Sequence, residues 1–150
     1  MPLREQFGEA LRSAMKAKDT KRVGTVRLIM AAVQSEGIAK KNENLSDEEV
    51  VAVLSRMVKQ REDSVAAYEA GNRPEMAQAE RDEIAIIREY LPKQLSPEEM
   101  RAAVQGAIAA TGATSIRDMG KVMGALKANY AGALDFGKAG ALVKEMLAPK

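Results

Sequence analysis

Along the chain, apolar positions fall three and four residues apart far more often than two apart. That is the spacing of a helix face rather than of a strand. Leu3, Phe7, Leu11, Ala14 and Met15 mark one face of a first helix, from about Leu3 to Lys16. Asp19 is placed to cap a second, which reaches roughly Ala39 with Val23, Val26, Met30 and Val33 on one stripe. The polar run Lys40-Lys41-Asn42-Glu43-Asn44 forms a loop. Ser46-Asp47-Glu48-Glu49 then reads S-x-x-E, a capping box in which the two side chains satisfy free backbone N–H groups. It opens a long third helix that Ala70-Gly71-Asn72 ends.

Pro74 suits the first turn of a fourth helix, where a missing N–H costs nothing, and this helix runs to about Tyr90. Pro92 helps to stop it. Ser96-Pro97-Glu98-Glu99 is a second capping box and opens a fifth helix, about Pro97–Ala110, ended by Gly112. A sixth starts near Ser115 and stops before Gly132, and a seventh spans about Phe136–Leu147 with Asp135 as its cap. The fold class is therefore all-α. A boundary at Leu91-Pro92-Lys93-Gln94-Leu95 divides an N-terminal helical subdomain, residues 1–92, from a small three-helix subdomain, residues 93–150. Within the first, the third and fourth helices form a long antiparallel hairpin.

Some residues break the pattern. Arg61 falls on the apolar stripe of the third helix, among Val50, Leu54, Met57, Val65 and Tyr68. A guanidinium on a core face requires a partner, because an unpaired buried charge is costly. Glu80 and Glu83 lie among Met76, Ile84, Ile87 and Leu91 on the fourth helix, and one of these acids is expected to pair with Arg61. Such a pair serves helix register, or else a functional site. Gly120 and Gly124, four apart in the sixth helix, open a smooth strip. Two readings fit it: close packing of another helix, or close approach of a ligand's backbone with Lys121 and Lys127 nearby to meet phosphate. Arg56, Lys59 and Gln60 form an exposed strip on the third helix, and Arg12, Lys16, Lys18, Lys21 and Arg22 cluster around the first turn. Each set is either a phosphate contact or a solvated helix face.

Composition narrows the chemistry. Cys and His are both absent, which removes disulfides, cysteine nucleophiles, the usual neutral-pH base and zinc sites. No nucleotide-binding glycine loop and no Ser–His pair occurs, so no catalytic residue is assigned and no metal or cofactor is expected. With three Tyr and two Phe there is no aromatic platform for stacking on bases, so any RNA contact is to backbone and shape. No apolar run approaches the ~20 residues that span a bilayer. The segment Met1–Glu5 lacks the features of a secretory signal, and the cytoplasm is the expected location. The net charge of +2 hides an uneven distribution. Residues 1–44 carry nine Lys/Arg against five Asp/Glu, residues 45–91 six against eleven, and residues 92–150 eight against five. The ends suit an anionic partner and the middle does not.

Four stretches carry a resemblance: Thr25-Val26-Arg27-Leu28-Ile29; Val58-Lys59-Gln60-Arg61-Glu62-Asp63-Ser64; Tyr90-Leu91-Pro92-Lys93-Gln94-Leu95-Ser96; and Asp118-Met119-Gly120-Lys121-Val122-Met123-Gly124. Gly71, Arg73 and Glu80 also sit where the pattern places them. The chain resembles the GatB/YqeY family over nearly its whole length, and in length it looks like a stand-alone member. The resemblance implies a two-part helical fold related to the tail of the B subunit of the glutamine-dependent aspartyl/glutamyl-tRNA amidotransferase. It further implies a tRNA-binding appendage, with a synthetase or amidotransferase as protein partner and the amide transfer performed elsewhere. The activity attached to the family is that of a carbon–nitrogen ligase with glutamine as amide donor. One stretch departs from the pattern: Gly132-Ala133-Leu134-Asp135-Phe136-Gly137 stands where the family commonly has Gly-Arg-Ala-Asp-Gly. Without that arginine, RNA contacts of the small subdomain fall to Gly120, Lys121, Gly124, Lys127 and Lys138, with Arg56 and Lys59 in the first subdomain. The other reading is a helical protein–protein adaptor that touches no RNA.

Overall fold

The computed structural model describes residues 1–148. It is all-helical over those residues: α1 Leu3–Lys16, α2 Thr20–Lys40, α3 Asp47–Ala70, α4 Pro74–Arg88, α5 Pro97–Thr111, α6 Met119–Tyr130 and α7 Phe136–Leu147. The chain divides into two compact units, Met1–Leu91 and a second beginning at Pro92.

Local chemistry sets the helix ends. Ser46 and Ser96 each accept a hydrogen bond from the N–H three residues on, at 3.2 and 3.1 Å, and Glu49 and Glu99 return the bond. Asp19 caps α2 by accepting from Arg22 N–H at 3.1 Å. The first turn of α1 has no cap of its own. Leu3 N–H instead donates to Asp47 Oδ1 of α3 at 2.9 Å, so a residue 44 positions away performs that task. After α2 the chain turns back with Lys41 at φ 53°, and Asn42 N–H donates to Gly37 O at 2.8 Å. A Cβ on Gly37 would lie 2.9 Å from Asn42 O, so only glycine admits this turn.

Two ends differ from the periodicity. The fourth helix stops at Arg88 rather than Tyr90, because the last N–H groups bond three residues back (Tyr90 to Ile87 O, Leu91 to Arg88 O) as the chain approaches Pro92. The sixth begins as a 3-10 turn, Ile116–Asp118, before α6 proper, and the Asp118 carboxylate accepts from Thr114 N–H at 3.0 Å.

In the first unit α3 and α4 pack as an antiparallel hairpin, tied by Arg61–Glu83 at 2.7 Å, Arg88–Glu62 at 2.6 Å and Arg81–Glu69. Phe7, Val26, Ile29, Val50, Leu54 and Ile87 are its innermost side chains. The expected stripes shift in three places, the first being α1, where Ala14 is buried while Met15 is 52% exposed. In α2 Ile29 is buried while Met30 is 36% exposed, and in α4 Ala77 is buried while Met76 is 45% exposed. The second unit closes around Val104, Val122, Leu126, Ala139 and Val143.

Candidate nucleic-acid interface

The second unit carries Lys93, Arg101, Arg117, Lys121, Lys127, Lys138 and Lys144 against Glu98, Glu99, Asp118, Asp135 and Glu145 among its described residues. Three of those acids are held at helix starts. Glu99 accepts from Ser96 N–H at 3.0 Å. Asp118 accepts from Thr114 and Ser115 N–H at 3.0 and 3.4 Å. Asp135 accepts from Gly137 and Lys138 N–H at 2.9 and 3.2 Å. The backbone N–H of Ser96 holds the Glu99 carboxyl below its ordinary pKa, and that of Thr114 does the same for Asp118. Both are ionised near neutrality; the charges of Lys93 near Glu99 and of Lys121 near Asp118 add to the lowering, though neither lysine comes within ion-pair distance.

The cations are left over. Every ion pair within 4 Å among the described residues joins residues of the first unit, between Asp19 and Glu89. The two units thus treat charge differently. In the first, most ion pairs join a base on one helix to an acid on another; in the second, three of the five acids hold helix starts and, among the described residues, no base comes within 4 Å of an acid.

Gly120 and Gly124 lie on the exposed side of α6, opposite buried Val122 and Leu126. A Cβ built on either glycine meets nothing within 4 Å. The close-packing reading of this pair is therefore corrected: no described helix lies against the strip. At ~100° per residue, Lys121 and Lys127 project on either side of it, about 120° apart around the helix. The Lys127 ammonium lies 6.0 Å from the centroid of the Phe136 ring, at the outer limit of a cation–π contact. The result is a bare stretch of backbone with a cation on each flank. A phosphodiester chain can approach it without meeting a side chain.

Lys138 is elsewhere. With Arg101 and Gln105 it lines a cleft of about 570 Å³ between α5 and α7, to which α6 contributes no residue. Glu98 and Glu145 line the same cleft, so its charge is mixed. The departing stretch after α6 places Gly132 at φ 79° and buries Leu134 in the core. Its Asp135 caps α7.

In the first unit, Arg56 Nη1 lies 3.5 Å from Glu36, which also meets Lys40 at 3.6 Å, while Lys40 reaches Glu49 at 3.2 Å. Arg56 is thus partly neutralised, whereas Lys59 is exposed and outside every ion pair among the described residues. Arg61 Nε donates to Glu83 and its Nη1 to Met57 O at 3.2 Å, and Glu80 stands outside the pair. Of the first-turn cluster, Lys21 meets Asp82 at 2.9 Å and Arg22 meets Glu89 at 2.7 Å, the Glu89 hydrogen bond raising the Arg22 pKa. Sequence reading missed these cross-helix acids, since only the packing of α2 on α4 brings them within reach. Among the described residues no group of three or more acids is placed to hold a metal ion, and no helix is long and apolar enough to cross a membrane.

Fold and site together define a class: an all-helical protein of two compact units, the second presenting unneutralised cations beside bare helix backbone. The chain belongs to the Yqey-like protein family, whose model matches residues 4–147. The resemblance carried by the four motif stretches holds. Among curated proteins it is similar to "Altered inheritance of mitochondria protein 41, mitochondrial" of Vanderwaltozyma polyspora, 29% identical over 97 residues, covering 63% of this chain and 52% of that protein. The protein of the same name from Kluyveromyces lactis is 30% identical over 80 residues, covering 53% and 43%. That from Lachancea thermotolerans is 31% identical over 81 residues, covering 54% and 43%. The chain spans about half the length of these relatives.

Proposed function

We propose that this protein is an accessory tRNA-binding module without catalysis of its own, working beside an aminoacyl-tRNA synthetase or a tRNA amidotransferase. The observation that carries the reading is the charge arrangement of the second unit, whose helix starts hold three of its five acids while Lys121 and Lys127 flank an open glycine strip. Such a surface meets phosphate and leaves bases unread. The carbon–nitrogen ligase activity attached to the family belongs, in this reading, to the partner that the module serves. We place the activity in the cytoplasm; the three relatives carry "mitochondrial" in their names, and cell fractionation decides between the two for this chain.

The test is binding of the purified protein to total tRNA across a series of salt concentrations. Affinity is expected to fall steeply with salt as phosphate contacts release counterions. Each lost phosphate contact lowers the log–log slope by about 0.7–0.9, so the Lys121→Ala, Lys127→Ala double variant should lower it by about 1.5. No binding at low salt, or a slope unmoved by the double variant, overturns the reading.

A further inference from the structure

Aromatic side chains are scarce in this chain, two Phe and three Tyr among 150 residues. Phe7 is enclosed in the core of the first unit, with Tyr90 as its edge-on neighbour. Phe136 is placed differently. It stands half-buried at the first position of α7, packed against the core of the second unit, with the Lys127 ammonium over its ring. The start of a helix does not call for an aromatic residue, and Asp135 already caps this one by accepting from Gly137 and Lys138 N–H.

The backbone that carries the ring is pinned on both sides. Before it, Ala133 and Leu134 are buried, and Ala133 O accepts from Leu95 N–H at 2.9 Å. After it, the cap fixes the first turn of α7, and Ala139 is fully buried. The ring is thus a fixed platform. Lys127 is the opposite: an exposed charge on a flexible stem, with no acid within 4 Å among the described residues. Such a side chain samples many rotamers, and immobilising it on a phosphate opposes binding. The negative face of an aromatic ring attracts the ammonium and narrows that range before a phosphate arrives. Among the described residues Lys121, the other cation of the strip, has no such ring.

We infer that Phe136 is a positioning residue for Lys127, holding its ammonium on the flank of the glycine strip, oriented in advance for a phosphodiester oxygen. What Lys127 meets rests on the RNA reading above; where Lys127 is held rests on the ring alone. A second force acts on this lysine. It lies in the last turn of α6, where the helix dipole attracts a cation with or without a ring. Changing the ring tells the two apart.

The experiment has two readouts on the full chain. By NMR of the free protein, the ring current is expected to shift the Lys127 ε-methylene protons upfield of those of Lys121. Phe136→Leu, with Phe136→Met as a second variant lacking the ring, should abolish the shift, and Phe136→Tyr should retain it. Binding to total tRNA at low salt then forms a double-mutant cycle with Lys127→Ala. Phe136→Leu should weaken binding about two- to fivefold, the range of a cation–π contact at an exposed site, while Phe136→Tyr binds like the parent. In the Lys127→Ala chain, Phe136→Leu should weaken binding no further. The inference is overturned if the Lys127 shift survives Phe136→Leu and Phe136→Met, since the helix end alone would then hold the ammonium. It is equally overturned if Phe136→Leu weakens binding as much in the Lys127→Ala chain, which would make the ring a support of the fold or a surface for a base. A parent chain that binds no tRNA would overturn the RNA reading, and with it the phosphate as the group Lys127 meets; the ring-current shift would still decide whether Phe136 holds Lys127.

Discussion

Arg61 shows how far a single residue can be read. Its place on an apolar stripe demanded a carboxylate, and the hairpin supplies Glu83 at 2.7 Å, with Met57 O as a second acceptor. Glu83→Ala leaves a largely buried guanidinium, 15% exposed, without its charge partner, and should lower stability by about 1–3 kcal/mol in urea unfolding. Glu80→Ala, which removes no ion pair, should stay within about 0.5 kcal/mol of the parent. The choice between Glu80 and Glu83 was not legible in the sequence, since both lie near one face of α4 and only the hairpin's register separates them. Arg56 and Lys59 were likewise indistinguishable as sequence. Glu36, twenty residues before Arg56, separates them once α2 and α3 pack together.

At the scale of the element, starts were more legible than stops. A cap is local chemistry: serine, three residues and a glutamate are enough to place the beginnings of α3 and α5. The end of α4 depends instead on how the last turn tightens before Pro92, which no periodicity records. Ser96→Ala should cost about 1 kcal/mol in thermal unfolding. The capping carboxylates also set a pH dependence. Glu49, Glu99 and Asp118 have folded pKa values below their ordinary ones, the first two held there chiefly by serine N–H groups and the third by that of Thr114. Their protons bind more weakly in the folded chain, so their stabilisation is complete above about pH 5 and fades as pH falls through the lowered values. Melting temperatures should therefore drop between pH 5 and pH 3, with most of the drop surviving moderate salt, since backbone hydrogen bonds lead at all three carboxylates and only Glu49 adds an ion pair, to Lys40. Gly124→Ala tests the strip: with open space around the new methyl, the helix should gain about 0.5–1 kcal/mol while tRNA affinity falls. A loss of stability in that variant would mean that something does pack there.

At the scale of the whole molecule, the sequence conveyed the helical class and the change of charge along the chain, but not what each unit does with its charges. Net charge by segment gave the first unit more acids and the second more bases; pairing is a property of packed surfaces. The second unit has its own core, so Leu126→Ala, at a site with no exposed surface, should cost about 2–5 kcal/mol. The loss is read as faster amide exchange across α5, α6 and α7. The start of α1 depends on residues far along the chain. Asp47 caps its first turn, and Phe7 packs edge-on against Tyr90 with ring centroids 5.1 Å apart. During synthesis α1 emerges before α3 and α4, so its cap arrives only with α3 and its aromatic neighbour only after α4. Until then it is an exposed amphipathic segment, open to chaperones, and its ordering marks the completion of the unit rather than its beginning.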